Sequence, residues 1–267
     1  MNQTMIERYP GWSLVTGASS GIGQAFARHL AAQGMNVALV ARTRDRLNEM
    51  ANELSKQHSV STTAITVDLA DPTAAQHISE EMDSLGASVS VLINNAGFGS
   101  LGPFHEADPE RMIEMVDVNC RAVVDLAARF LPPMVQRGSG AMIVTASMGA
   151  YMAVPGSAVY AASKSFDLIF SESLWAELRP HGVDVLGLSP GATATNFRRA
   201  SGIKGDTNLG GTNSPDDVVA FALAKLGRTP SAVPNWRNRL PLKLNRLLPR
   251  RTIISMTHRV NTRRRSR

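Results

Sequence analysis

The chain has 267 residues, 43% of them apolar and 19% charged, with 21 Gly, 14 Pro and one cysteine, Cys120. That composition excludes collagen-like, coiled-coil and disordered chains, and a lone cysteine excludes an intrachain disulfide and fits a reducing compartment. Thirteen of the 28 Lys and Arg stand from Lys225 onward, where no Asp or Glu occurs, so the rest carries 15 basic against 22 acidic residues and a net of −7; the overall +6 belongs to one end. No apolar run approaches the roughly 18 residues of a membrane span. The start contains Glu7 and Arg8 and lacks the apolar core of a secretory signal. The Cys and His residues have no zinc spacing, so no metal is expected. A cytoplasmic location is the expectation.

In chain order, Trp12–Thr16 reads as a first strand and is followed by the loop GASSGIG (residues 17–23). Ile22, Ala25, Phe26, His29 and Leu30 then recur at helical spacing until Gly34. Asn36–Ala41 (NVALVA) is apolar on both faces, as a strand between helix layers is. Helices are predicted over residues 42–57 and 72–85, and strands over residues 63–67 and 89–93. A long helix is predicted over residues 109–137, with Pro132-Pro133 kinking or ending its last part. A fifth strand over residues 141–146, a helix over 157–179 and a sixth strand, Val183–Leu188, complete the alternation. Strand and helix alternating throughout predicts an α/β fold: a Rossmann-like, doubly wound parallel sheet in three layers, α/β/α. No linker divides the chain, so residues 1–267 read as one domain, with 225–267 a basic extension.

Four constellations carry chemistry. The first is the loop after the first strand: Gly17, Ser19, Ser20, Gly21, Ile22 and Gly23. Glycines let the backbone turn tightly against a pyrophosphate, and the helix start adds unpaired N–H groups and a partial positive charge. The second lies at the end of the second strand, where NAD-binding folds place an acid for the ribose 2′-OH. Here Arg42 follows Ala41, and no carboxylate stands before Asp45. A guanidinium suits a 2′-phosphate through two charge-assisted bonds, which favours NADP over NAD. The alternative is that Arg42 and Arg44 are solvated charges at a helix start.

The third comprises Asp68-Leu69 and Asn94-Asn95-Ala96-Gly97, at the carboxyl ends of strands three and four, where ligands bind in open α/β sheets. Asp68 is a candidate acceptor for the adenine amino group, Asn94 a candidate strand-end hydrogen bonder. Gly97 lets the chain pass close to a coenzyme.

The fourth is the most specific. Ser147 ends the fifth strand, Tyr160 follows thirteen residues later, and Lys164 shares a helical face with Tyr160. A free tyrosine, with a pKa of about 10, is too weak an acid for proton transfer near neutrality. A nearby ammonium favours the phenolate and lowers that value. Ser147 is placed to donate to a carbonyl or alkoxide oxygen.

With these residues in view, the sequence resembles the short-chain dehydrogenase/reductase family over about residues 12–197. The resemblance rests on TGASSGIG (residues 16–23), NNAG (94–97), Val118-Asn119, Ser147, YAASK (160–164) and PGATAT (190–195). It implies that Tyr160 is the general acid/base. Lys164 lowers its pKa and binds the nicotinamide ribose, Ser147 orients the substrate oxygen, and Asn119 helps hold a water in a proton relay. It also places Pro190, Gly191, Thr193 and Thr195 against the nicotinamide, with Thr193 where an aliphatic residue is usual. LVARTRDRL and the Arg-rich end are similar to the NADP(H)-preferring branch of ketoacyl and steroid ketone reductases. A homo-oligomer, dimer or tetramer, through the helices bearing Asn119 and Tyr160 is also implied.

The expected activity is NADP(H)-dependent oxidoreduction of a ketone or secondary alcohol. The substrate pocket is drawn from residues 98–104, 148–155 and the stretch after Pro190, whose composition favours an apolar or lipid-like small molecule. The alternative is a non-catalytic NADP-binding or membrane-associated scaffold. Residues 236–267 mix Leu and Ile with Arg and read in three ways: a lid or docked helix, an amphipathic segment in peripheral contact with anionic lipid, or a solvated end, chiefly 263–267. Nucleic acid is not expected, because Trp236 is the only aromatic there and stacking needs more.

Overall fold

A computed structural model describes residues 3–195, 197, 201, 213–236, 238, 242 and 248–265. Seven parallel strands form one sheet in the order β3-β2-β1-β4-β5-β6-β7. They are β1 (Trp12–Thr16), β2 (Asn36–Ala41), β3 (Thr62–Thr66), β4 (Val89–Asn94), β5 (Gly140–Thr145), β6 (Val183–Leu188) and β7 (Ser231–Ala232). The order reverses between β1 and β4, and that reversal opens a crevice at the carboxyl ends of the strands. The six predicted strands are all present. Two-residue β7 is too short to leave a periodic signal.

Helices cover both faces, as the doubly apolar strands require. On one side α1 (Met5–Arg8), α2 (Gly21–Ala32), α3 (Arg44–His58) and α8 (Pro215–Lys225) pack on Val15, Val37, Leu39, Ile93 and Ile143. On the other, α4 (Ala74–Ser84), α5 (Pro109–Val116), α6 (Ala122–Arg137) and α7 (Ala158–Leu178) contribute to a second core around Leu14, Ala38, Leu92, Met142 and Val185. Neighbouring residues of one strand thus enter opposite cores, and Leu14 and Val15 are both fully buried. Burying a Leu or Val contributes about 1.5–3 kcal/mol. The last helix is α9 (Arg250–Arg265); most of residues 250–259 are exposed, and Thr257 Oγ1, whose proton goes to Ile253 O at 2.7 Å, lies 3.3 Å from the Ala153 carbonyl oxygen.

Two expectations about the long helix need correction. Pro132 and Pro133 do not end it: α6 continues to Arg137 and closes at Gly138 in the left-handed region, φ +66°. Both prolines lie on the exposed face, where water can serve the carbonyls of Ala128 and Arg129 that lose their helical N–H, while Leu131 and Met134 stay buried. The interruption lies earlier, in a π-helical turn over Asp117–Arg121 between α5 and α6. A π turn shifts the hydrogen-bond ladder by one residue without any breaker residue in the sequence.

Among the described residues no helix is long and apolar enough to cross a membrane. Residues 240, 244, 247, 266 and 267 of the basic end lie outside the described residues.

Candidate active site

The loop between β1 and α2 is shaped by glycine. Gly17 (φ +66°) and Gly21 (φ +58°) adopt left-handed backbone that other residues rarely take. A Cβ on Gly23 would lie 2.2 Å from the Gly17 carbonyl oxygen, so α2 can begin this close to the loop only without a side chain. Ser20 precedes α2 without capping it, and its first turn has no acid. The opening N–H groups of a twelve-residue helix are thus left without a side-chain cap, and Ile22 packs inward on the first core.

One hydroxyl joins this loop to the next strand end. Thr16 Oγ1 donates to Ile93 O (3.1 Å) and accepts from the N–H groups of Asn95 (2.9 Å) and Ala96 (3.0 Å). Asn95 Nδ2 returns to Thr16 O at 3.1 Å. Asn94 is different: it is buried, and its Nδ2 donates to Val123 O at 3.3 Å, so it ties β4 to α6 as a strand-end hydrogen bonder.

At the outer rim, Arg42 is exposed just past β2. Its Nη1 lies 3.8 Å from Asp68 and 3.7 Å from Glu114, loose contacts that leave the guanidinium available to an anion. Thr43 precedes α3 with no side-chain cap bond. Asp68 turns its Oδ1 back to accept from Ala70 N–H at 3.0 Å, and Leu69 is buried beneath it.

The reactive residues meet at the ends of β4 and β5. Ser147 Oγ accepts from Gly149 N–H at 3.1 Å, which leaves its own proton to donate. Tyr160 sits in the first turn of α7, half-buried, with its ring 5.5 Å from that of Phe197, and among the described residues its hydroxyl makes no hydrogen bond. A Cβ on Gly149 would lie 3.6 Å from Ser147 Oγ and 3.9 Å from Tyr160 Cε1, so the two side chains flank one point. Lys164 is buried; its Nζ donates to Thr145 O and to Asp167 Oδ2, each at 2.8 Å. A Cβ on Gly97 would lie 2.9 Å from Asn119 Oδ1 and 3.2 Å from Lys164 Nζ, so only glycine fits there.

Burial alone would depress the Lys164 ammonium. The Asp167 carboxylate and the Tyr160 phenol outweigh it and hold Lys164 above the ordinary lysine range. Burial raises Asp167, and Lys164 opposes that rise in part. The Cys120 thiol, on the π turn, is pushed up to about 11, first by burial and then by the Asp167 charge.

Asn119 sits fully buried on the π turn. Its Oδ1 accepts from Phe98 N–H (3.2 Å), and its Nδ2 donates to Phe98 O (3.0 Å) and Ser163 Oγ (2.9 Å). The side chain is thereby committed to pinning the loop after β4 against α7.

The loop after β6 closes the crevice. Met148 N–H donates to Pro190 O at 3.2 Å. A Cβ on Gly191 would collide with Asn238, and one on Gly21 would lie 2.8 Å from Thr195 Cγ2. Thr193 pairs in a short bridge with Asn213, and its hydroxyl donates to Gly191 O at 3.0 Å, so its backbone faces are fixed by the loop itself. Residues 198–200 and 202–212 of the predicted pocket wall lie outside the described residues. The remaining wall is laced together: Ser157 Oγ to Ser100 O (2.7 Å), Gly102 N–H to Gly156 O (2.8 Å) and Gly99 N–H to Ser201 Oγ (3.0 Å).

Ser147, Tyr160, Lys164 and the glycine loop thus border one crevice with Arg42 at its rim, whereas Ile22 packs into the core, Leu69 is buried and the Asn119 side chain is taken up by Phe98 and Ser163. Sequence reasoning placed Thr16 and Ser163 inside motifs without giving either a role, and missed Thr145 and Asp167. Only Asp167 left a usable signal, an acid three residues after Lys164 on the same helix. A dinucleotide fits what is present: an open helix start over a glycine cradle, a side-chain-free passage at Gly97, and a buried ammonium at its far end.

Comparisons with known proteins agree. The chain is 34% identical over 225 residues to the very-long-chain 3-oxoacyl-CoA reductase of Phaeosphaeria nodorum, covering 83% of this chain and 64% of that one, so it spans less than two thirds of that reductase. It is 38% identical over 223 residues to the 1-deoxy-11-beta-hydroxypentalenate dehydrogenase of Streptomyces exfoliatus, covering 80% and 79%. Among solved structures, a short-chain dehydrogenase from Sphingobium yanoikuyae in complex with NADPH matches with a TM-score of 0.78 at 32% identity, covering 85% of this chain and 88% of that one. The family model for short chain dehydrogenases matches residues 12–204. With the glycine loop, the serine, the tyrosine and the lysine in one crevice, the chain belongs to the short-chain dehydrogenase family.

Proposed function

We propose that the protein catalyses reversible hydride transfer between NADP(H) and a ketone or secondary alcohol, with an apolar or lipid-like substrate. The observation that carries this reading is the convergence of Ser147, Tyr160 and Lys164 beside the glycine cradle. When bound, the coenzyme supplies or accepts the hydride at C4 of its nicotinamide. Gly17–Gly23 hold the pyrophosphate, Arg42 the 2′-phosphate, Asp68 and Leu69 the adenine side, and Asn95, Ala96 and Gly97 the passage between. Pro190, Gly191, Thr193 and Thr195 border the nicotinamide. Ser147 donates to the substrate oxygen, and Tyr160 gives it a proton in reduction or takes one in oxidation. Lys164 holds the nicotinamide ribose with its remaining N–H and keeps positive charge near the phenol. NADPH in the Sphingobium yanoikuyae structure, and the 3-oxoacyl and pentalenate names of the relatives, support the coenzyme and the substrate class.

The exposed apolar side chains of Ile113, Val116 and Val124 on α5 and α6, and of Phe166 and Ile169 on α7, form the face through which the chain pairs into a homo-oligomer. The body and its basic end act as one cytoplasmic catalytic domain, with α9 docked beside the substrate loop at Ala153.

The test is Tyr160→Phe. With NADPH and a panel of aliphatic, steroid and 3-oxoacyl ketones, turnover should fall by about 10²–10⁴-fold, while NADPH titrated by its fluorescence still binds. Undiminished reduction by Tyr160→Phe overturns the assignment.

A further inference from the structure

Asp167 is fully buried and lies one turn past Lys164, on the side of α7 that faces β5 and β6. Oδ2 accepts a hydrogen bond from the Lys164 ammonium at 2.8 Å, and Oδ1 has no hydrogen-bond partner among the described residues. A carboxylate so sparsely satisfied is expensive to bury. Asp167 spends its whole interaction on one lysine. That lysine is itself 4% exposed, with one other hydrogen bond, to a neutral carbonyl.

Ionisable groups facing the pair are few. Tyr160 approaches from the same helix and Cys120 from the π turn. β5 has no ionisable side chain. On β6, Asp184 is engaged by Arg8 and Tyr9. Tyr151, on the 3-10 turn Met148–Tyr151, packs on Ala146, Ala150 and Leu168. On α5, Arg111 and Glu114 pair with each other, and Glu110 is exposed. Glu172 binds Ser231 of β7, and Arg179 stacks on Trp175 at the far end of α7 beside exposed His181.

We propose that Asp167 is a positioning residue for proton transfer: its carboxylate is the counter-charge that keeps buried Lys164 a protonated ammonium fixed against β5, and through Lys164 it holds a positive charge near the Tyr160 hydroxyl. The inference rests on the reading of Tyr160 and Lys164 as the proton-transfer pair. Removing the carboxylate acts on Tyr160 in two opposed ways. The loss of a negative charge favours the phenolate directly; the loss of the ammonium, left to burial alone, disfavours it. The second wins because Lys164 touches no other acid.

The test needs no substrate. The chain has three tyrosines, and Tyr9 stays protonated through the alkaline range because it is buried and donates to Asp184. Tyrosinate absorbance of the full chain is followed from about pH 6 to about pH 11, with Tyr160 assigned by its loss in Tyr160→Phe. In Asp167→Asn its midpoint rises by about one pH unit. Asp167→Glu, which retains the charge, brings it back toward wild type, and in a Lys164→Met background Asp167→Asn no longer raises the midpoint, because only the direct loss of negative charge remains. A midpoint unchanged or lowered in folded Asp167→Asn overturns the proposal. Should that variant fail to fold, ¹⁵Nζ spectra of the wild-type lysines decide, with Lys164 assigned by Lys164→Arg. An ammonium persisting to about pH 10 supports the proposal, and a neutral amine below about pH 9 overturns it. A shifted midpoint in a chain that reduces no ketone would sink the proposed reaction and leave this inference standing.

Discussion

The two halves of the crevice are built from different materials. The coenzyme cradle, from β1 to β3, is mostly backbone: positive-φ glycines, an uncapped helix start and one exposed guanidinium. The reactive half, from β4 to α7, is made of buried polar side chains, with Asn119 bonded to Ser163 and Lys164 to Asp167 around a half-buried tyrosine. The cradle recognises by shape and by N–H groups that any chain possesses. The reactive half depends on particular atoms held in a low-dielectric interior, where each is worth more and each error costs more.

That contrast can be broken by variants that cross it. The largest effect belongs to Ser147→Ala. Loss of one placed donor should lower kcat by about 10²–10³-fold while coenzyme affinity, read by fluorescence titration, stays within twofold, roughly the noise of context. A matching loss of affinity would show that the halves are not separate. Next comes Gly23→Ala, whose Cβ would stand 2.2 Å from Gly17 O. Displacing the loop should cost about 1–3 kcal/mol, read as a weaker NADPH Kd and a lower Tm, with kcat at saturating coenzyme little changed. Smallest is Arg42→Ala, which should weaken NADPH by about 1.5 kcal/mol, the lower bound for a charged hydrogen bond, and leave NADH alone. Equal weakening of both would assign Arg42 to the rim and not to the phosphate.

The same contrast explains what the sequence disclosed. Strands such as NVALVA and VLIN announce themselves because burial on both faces demands unbroken apolar runs. The glycine loop is equally legible, since positive φ and close approach demand one residue type locally. Tyr160 and Lys164 were legible through helical spacing. The partners that finish the site were not. Thr16 looks like the last residue of a strand, and Ser163 and Asp167 look like ordinary helix positions. Their roles arise only when β1 meets β4 and α7 lies on β5. The π turn at Asp117–Arg121 has no breaker residue to betray it, whereas Pro132-Pro133 carried a strong breaker signal that exposure on the outer face made harmless.

The Thr16 hydroxyl sets a limit on how freely these halves can diverge. A single oxygen, 1% exposed as part of its residue, rivets the end of the first strand to the two residues that open the fourth loop. Any rearrangement of the phosphate loop is therefore transmitted across the seam of the sheet, and new coenzyme preferences must be reached by altering the outer corner around Arg42 and leaving the hinge of the crevice in place.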